Sequence, residues 1–189
     1  MTPENKEYPA PCRKERTLTM KMKRIISLLL AAVLLLSSAA CGSKEPPAPT
    51  LKEGVTLQSM VDSITETYGF TMPSPLDDTI LKDLLDIDPA DVEEYAGYVT
   101  MVNLSANNLI AVKAKPDKLE TVQKALQARK DFEVESFRQY LPDQYAMSEA
   151  GKVFTVGDYC FLVIMGRMDE DPASEISAIE QIIRDSFNS

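Results

Sequence analysis

The sequence predicts an α+β two-layer sandwich, a four-stranded antiparallel sheet of two hairpins with helices packed on one face. Three observations predict it. Apolar residues recur at helical spacing before, between and after two strand-like pairs. A Gly157-Asp158 dipeptide joins the runs 153–156 and 159–165, a signal for a two-residue type II′ hairpin. The order helix, helix, hairpin, long helix, hairpin, helix then places a helix after each hairpin, as layered packing requires.

The first helix follows Thr56, an N-cap, with Leu57, Met60, Val61, Ile64 and Tyr68 on one stripe, and Gly69 ends it. A turn is expected over residues 71–75, which hold two prolines. Residues 77–86 repeat the helical period with Ile80, Leu81, Leu84 and Leu85. Asp88-Pro89-Ala90-Asp91 combines a cap, a proline at the first position and an acid at the third, which opens about two helical turns through Tyr95. Residues 98–104 and 109–115 read as a hairpin joined across Ser105-Ala106-Asn107-Asn108. In its second strand Ile110, Val112 and Ala114 alternate with Lys113 and Lys115, which implies one covered and one solvated face.

The longest helix is expected over residues 116–140, stopped by Leu141-Pro142. Its stripe is Leu119, Val122, Leu126, Phe137 and Tyr140, interrupted by Arg129 and Glu133. Residues 159–165 are apolar on both faces and predict an inner strand. Asp171-Pro172 starts the last helix, with Ile176, Ile179, Ile183 and Phe187 on one side.

Ahead of this domain lies a segment with the layout of an export signal. Lys21, Lys23 and Arg24 precede an apolar run over residues 25–36, too short for the roughly 30 Å hydrocarbon core, and Ser37-Ser38-Ala39-Ala40 leads to Cys41. The small residues before a cysteine resemble the lipobox of bacterial lipoprotein precursors, although Ser38 stands where that motif usually has Leu. The resemblance implies a lipid thioether on Cys41 and a mature chain starting there. A cleaved secretory signal with an incidental cysteine, or an uncleaved helix, are the plainer readings. Residues 1–19 read as an upstream extension of the frame, 20–40 as the signal peptide and 41–55 as a lipidated Cys and Pro-rich linker. Residues 56–189 read as a single α+β domain. Extended at about 3.1 Å per residue, residues 42–54 reach roughly 40 Å from a bilayer.

Charge narrows the function classes. The chain has 20 Lys and Arg against 29 Asp and Glu, and the first 41 residues hold seven and three of these. The remainder therefore carries 13 basic and 26 acidic side chains, net −13. That excludes nucleic acid as a partner, because phosphate binding needs basic patches, and it leaves attachment to an anionic membrane to the lipid anchor on Cys41. Histidine is absent, which removes Ser-His-Asp and Cys-His catalysis and the His-containing zinc sites. Cys160 lies inside an apolar strand and reads as a buried small hydrophobe.

From Asp88-Pro89 with Glu93-Glu94-Tyr95, through Met101-Val102 and Leu109-Ile110-Ala111-Val112-Lys113, the chain resembles a known family. Ala128-Arg129 with Phe137 and Tyr140, then Gly157-Asp158-Tyr159 before Phe161-Leu162-Val163, continue the likeness. The family is one of uncharacterised Gram-positive lipoproteins, catalogued as a domain of unknown function. The resemblance implies anchoring and fold, and no activity.

Arg129 and Glu133 are the candidate contact for a ligand or partner. The bland reading is an i,i+4 ion pair at the rim of the helix–sheet contact. The functional one makes Arg129 the anchor for a carboxylate-bearing or peptide ligand. The run Asp77, Asp78, Asp83, Asp86, Asp88 and Asp91 lacks the glycine turn and distal Glu of a calcium loop, so caps and solvated faces account for it. Asp169-Glu170-Asp171 reads as a helix cap. No catalytic, metal or cofactor residue is assigned. The expectation is a non-catalytic binding module of the cell envelope, held on the outer face of the cytoplasmic membrane, whose partner is an envelope protein or peptide. A small-ligand receptor and a carboxylate-based enzyme are the alternatives.

Overall fold

One antiparallel sheet of five strands organises the computed structural model, which describes residues 48–188. Cys41 with its expected lipidation, the signal peptide and the 1–19 extension lie outside the described residues. The strands are β1 (Pro73–Pro75), β2 (Val92–Thr100), β3 (Asn108–Ala114), β4 (Lys152–Val156) and β5 (Tyr159–Ile164), in the spatial order β1-β2-β3-β5-β4. The α-helices are α1 (Leu57–Tyr68), α2 (Leu119–Phe137), α3 (Pro142–Ala150) and α4 (Pro172–Asp185).

Two hairpins form as expected, but the first strand of the first hairpin runs over Val92–Thr100 and not 98–104, so residues 101–104 belong to the connection. β2 pairs with β3, and β4 pairs with β5 around Gly157, whose φ of 56° supplies the positive first position of a II′ turn. A strand lies where the sequence predicts only a turn, which raises the count from four to five. In β1 Ser74 is flanked by two prolines without N–H groups, so the segment is confined to the sheet edge, opposite Val99. The acidic-capped Pro89–Asp91 turn is a single 3-10 turn, after which Val92 already begins β2. The expected helix through Tyr95 is therefore wrong: the cap signal starts one turn, and the β-branched and aromatic residues beyond it pair with β3.

Helices cover both faces of the sheet, which corrects the one-face expectation. Lys152 sits opposite Val163 and its Nζ meets Glu180 Oε2 on α4 at 2.9 Å. Asn108 sits opposite Ile164 and reaches Arg129 on α2. Val163 and Ile164 are consecutive, so their side chains point to opposite faces. Tyr98, opposite Leu109 and thus on the Val163 face, donates to Asp62 Oδ1 on α1 at 2.9 Å. Helices α1 and α4 therefore share one face, and α2 lies on the other. Residues of β3 expected to meet solvent are covered; Lys113 escapes by pairing with Glu93 at the β2 bulge. β5 is buried along its whole length, as its two apolar faces predict.

The core runs through Ile110, Val112, Phe161, Leu162 and Ile164 of the central strands to Leu57, Ile64, Leu126, Ile176, Ile179 and Ile183. Full burial of each such side chain contributes about 1.5–3 kcal/mol relative to exposure. Gly97 lets β2 lie against β3: a Cβ there would meet Leu109 O at 2.3 Å. Helix α2 stops at Phe137, short of the expected Tyr140, and Leu141, at φ 49°, turns the chain into α3. Pro142 is thus the first residue of a new helix as well as the end of the old one. At the far end α4 begins on Asp171, which accepts from Ser174 N at 2.9 Å.

Candidate functional site

Helix α2 turns Val122, Leu126, Arg129, Glu133 and Phe137 toward the sheet, so a charged pair stands where the apolar stripe predicts core residues. The pair is not at the rim. Arg129 is 7% exposed and Glu133 5%. Arg129 Nη2 meets Glu133 Oε1, and Arg129 Nε donates to Asn108 Oδ1 at 3.1 Å. Asn108 Nδ2 donates to Ala106 O at 2.9 Å and to Glu133 Oε1 at 3.4 Å, closing a ring of three buried polar side chains between α2 and the start of β3. Burial raises the pKa of Glu133, against the pull of the guanidinium and of the Asn108 amide. Burial likewise lowers that of Arg129, against the attraction of Glu133.

Above the pair opens a groove of about 670 Å³. One wall is α2, with Phe132, Ser136 and Phe137. The other is the β2–β3 connection, with Met101, Asn103 and Ser105. That connection is held at its far end, where Ala106 N donates to Gln144 Oε1 on α3 at 2.9 Å, and it is exposed near its start. Met101, Phe132 and Tyr140 are 57%, 60% and 52% exposed, and all three line this groove. Arg129 lies beneath the Phe132 ring, 5.4 Å from its centroid. A smaller hollow of about 200 Å³ adjoins it, sharing Leu84, Arg129 and Phe132.

Two atoms of the pair remain for an outside partner. Among the described residues, Arg129 Nη1 and Glu133 Oε2 make no hydrogen bond. No buried side-chain nitrogen or oxygen is without a partner there, so both atoms reach solvent, and the residues that carry them line the groove. The pair thus retains a donor and an acceptor, on residues that line the groove.

Four acids of the 77–91 run are engaged locally. Asp77 accepts from Ile80 N at the head of a π-helical turn, Ile80–Leu84, which the sequence reads as an ordinary helix. Asp78 accepts from Tyr95 Oη, Asp88 from Ala90 N, and Asp91 pairs with Lys118. Among the described residues no cluster of three or more His, Cys, Asp or Glu is arranged to hold a metal ion. Cys160 is buried in β5, and burial pushes its thiol up to about 12, so it carries no nucleophile.

The family model of a domain of unknown function (DUF4358) matches residues 66–165. The chain belongs to this family. The matched span contains every residue that lines the groove, whereas most of α1 and all of α4 fall outside it. No curated protein and no solved structure matches the chain.

Sequence reasoning found Arg129 and Glu133 and missed the walls. Phe132 carried a readable signal, a large apolar residue off the predicted stripe of the long helix, whereas Met101 lies in the run read as a strand and found in the β2–β3 connection. Tyr140, expected on the buried stripe, instead stands beyond the end of α2, on the groove. Asn108 gave no signal, since an Asn beside a strand ordinarily marks a turn.

Proposed function

We propose that this chain is a lipid-anchored, extracytoplasmic binding module, non-catalytic, whose groove over Arg129–Glu133 takes a protein or peptide of the cell envelope. The observation that carries the reading is the groove itself: three large apolar side chains stand in solvent around a buried charged pair. Exposed apolar groups gathered in one concavity mark binding surfaces, because leaving them in water costs free energy that an occupant recovers. A carboxylate-based hydrolase needs two acids facing one cleft, and the groove holds Glu133 alone. A small-ligand receptor is the second reading, favoured by a volume within the roughly 300–1,000 Å³ of such sites.

A photo-crosslinking residue at Phe132 is expected to give a discrete adduct in intact cells, while one at the exposed Ile182 of α4 gives none. Equal labelling from both positions would remove the groove as the binding surface. Anchoring rests on the segment ending at Cys41. Cys41→Ala is expected to move the chain from the membrane to the soluble fraction, since a lipid chain is the proposed hold and the domain's charge repels anionic lipid. Mass spectrometry that finds an unmodified residue other than Cys41 at the mature N-terminus would end the anchoring proposal.

A further inference from the structure

We infer that the groove takes an extended, uncharged peptide segment. One residue of that segment pairs its backbone C=O and N–H with Arg129 Nη1 and Glu133 Oε2, and sets its apolar side chain among Met101, Phe132 and Tyr140. The inference deepens the proposed binding role and rests on that reading of the groove.

Charge decides the class of ligand. Of the residues lining the groove, Arg129 and Glu133 alone carry charge, one of each sign and in direct contact. A carboxylate ligand would need the field of an uncompensated guanidinium; here Glu133 has already neutralised it. An ammonium or guanidinium ligand meets the same obstacle in reverse. What the pair still offers is one N–H donor and one carboxylate acceptor, each sharpened by its charge and by burial. A neutral group with its own acceptor and donor answers both.

A residue in an extended chain is such a group, because its N–H and C=O point to the same side, as they do when strand residues exchange both hydrogen bonds. Its side chain then projects toward the walls, where exposed apolar surface is available for burial. Asn108 fixes the geometry of the pair from below through Arg129 Nε and Glu133 Oε1, so the two free atoms are held before any ligand arrives. Such preorganisation spares the ligand the cost of ordering them.

The test uses the full chain in detergent and a library of N-acetylated, C-amidated heptapeptides, neutral or carrying one added Asp, Glu or Lys. Neutral peptides with a large apolar residue are expected to be enriched. Phe132→Ser and Met101→Ser, both at exposed positions, are expected to weaken the best peptide roughly tenfold each without lowering the melting temperature. N-methylation of the anchor residue's amide removes the donor to Glu133 and is expected to weaken binding by roughly tenfold or more. If peptides bind and the Phe132 and Met101 variants lose them, yet N-methylation changes nothing, the backbone pairing is overturned and the groove reading stands. Enrichment of acidic or free-carboxylate peptides overturns the neutral class in the same way. Equal binding of N-acetyl-leucine methylamide overturns the peptide assignment in favour of a small amide. Absence of any binding that depends on Phe132 and Met101 overturns the groove and this inference together.

Discussion

Arg129 and Glu133 are each tolerated inside the fold because the other is there. A buried ion pair seldom adds stability over apolar residues of the same volume, whereas removing one partner strands a desolvated charge at a cost of roughly 3–5 kcal/mol. Both residues here retain an edge on the groove, so Arg129→Met is expected to cost near the lower end of that range. The double variant Arg129→Met/Glu133→Met is expected to recover most of the loss. Chemical denaturation of the three proteins provides the measurement, and a single variant as stable as the original would show that Glu133 is not buried with its charge. The pH dependence has a fixed sign. Without the guanidinium, the folded pKa of Glu133 rises further above its unfolded value, near 4.5. Below that value the carboxyl is protonated in both states and the charge penalty vanishes; above it, the penalty grows until the folded pKa is passed. The deficit of Arg129→Met is therefore smallest in acid and largest at neutral pH.

At the scale of elements, the last helix is fastened by its own first turn. Glu175 accepts from Arg167 N at 3.1 Å, from Arg167 Nε at 2.9 Å and from Arg167 Nη2 at 2.7 Å. The loop from β5 is thus tied to α4, and Arg167 continues over the Tyr68 ring at the end of α1. The Arg167 hydrogen bonds hold the Glu175 carboxyl below its ordinary value. A depressed carboxylate stabilises the fold above its unfolded pKa and loses that contribution as pH falls through the folded one. Glu175→Gln is expected to flatten the acid limb of stability against pH, below about pH 4.5, and to lower stability at neutral pH. An unchanged acid limb would show that Arg167–Glu175 does not persist in solution. The same scale shows what the sequence made legible. Helix α1, the β4–β5 hairpin and α4 follow from local rules, because a cap, a Gly-Asp turn and an unbroken apolar stripe each act over a few residues. β1 and the start of β2 did not follow, because β1 pairs with the end of β2 and the start of β2 pairs with β3, partners distant in sequence. α3 was hidden because a proline after a helix reads as a stop, and only the positive φ of Leu141 makes room for a restart. Of the site, the charged pair was visible as a break in periodicity; Asn108 beneath it is a product of register.

The domain places its groove and the entry of the chain at residues 49–52 at opposite poles of the sheet. Strand β3 runs from Asn108, under the groove, to Ala114, and six strand steps span roughly 20 Å. At the Asn108 end Thr100, whose N donates to Asn107 O, enters the groove wall. At the other end Lys113 pairs with Tyr159, beside the Gly157 turn. The incoming chain docks there: Pro49 packs so closely on Gly157 that a Cβ would meet its Cδ at 2.9 Å, and Leu51 bridges to Phe187. Lys52 N donates to Ser186 O at 2.9 Å and Asn188 N to Thr50 O at 2.8 Å, so the point of entry is part of the fold. A lipid on Cys41 would then hold the Gly157 pole toward the bilayer and turn the groove outward, where an envelope partner can reach it. With a fluorophore donor at Asn103→Cys or at Asp158→Cys in vesicles bearing acceptor-labelled headgroups, energy transfer is expected to be the stronger from position 158. Cys160 does not compete for the label, because it is buried and its thiol is pushed up to about 12. Equal transfer from both positions would mean that residues 49–52 detach from the Gly157 pole in the anchored chain. The groove would then face the membrane as often as it faces away, and a partner would have to be sought at the lipid surface.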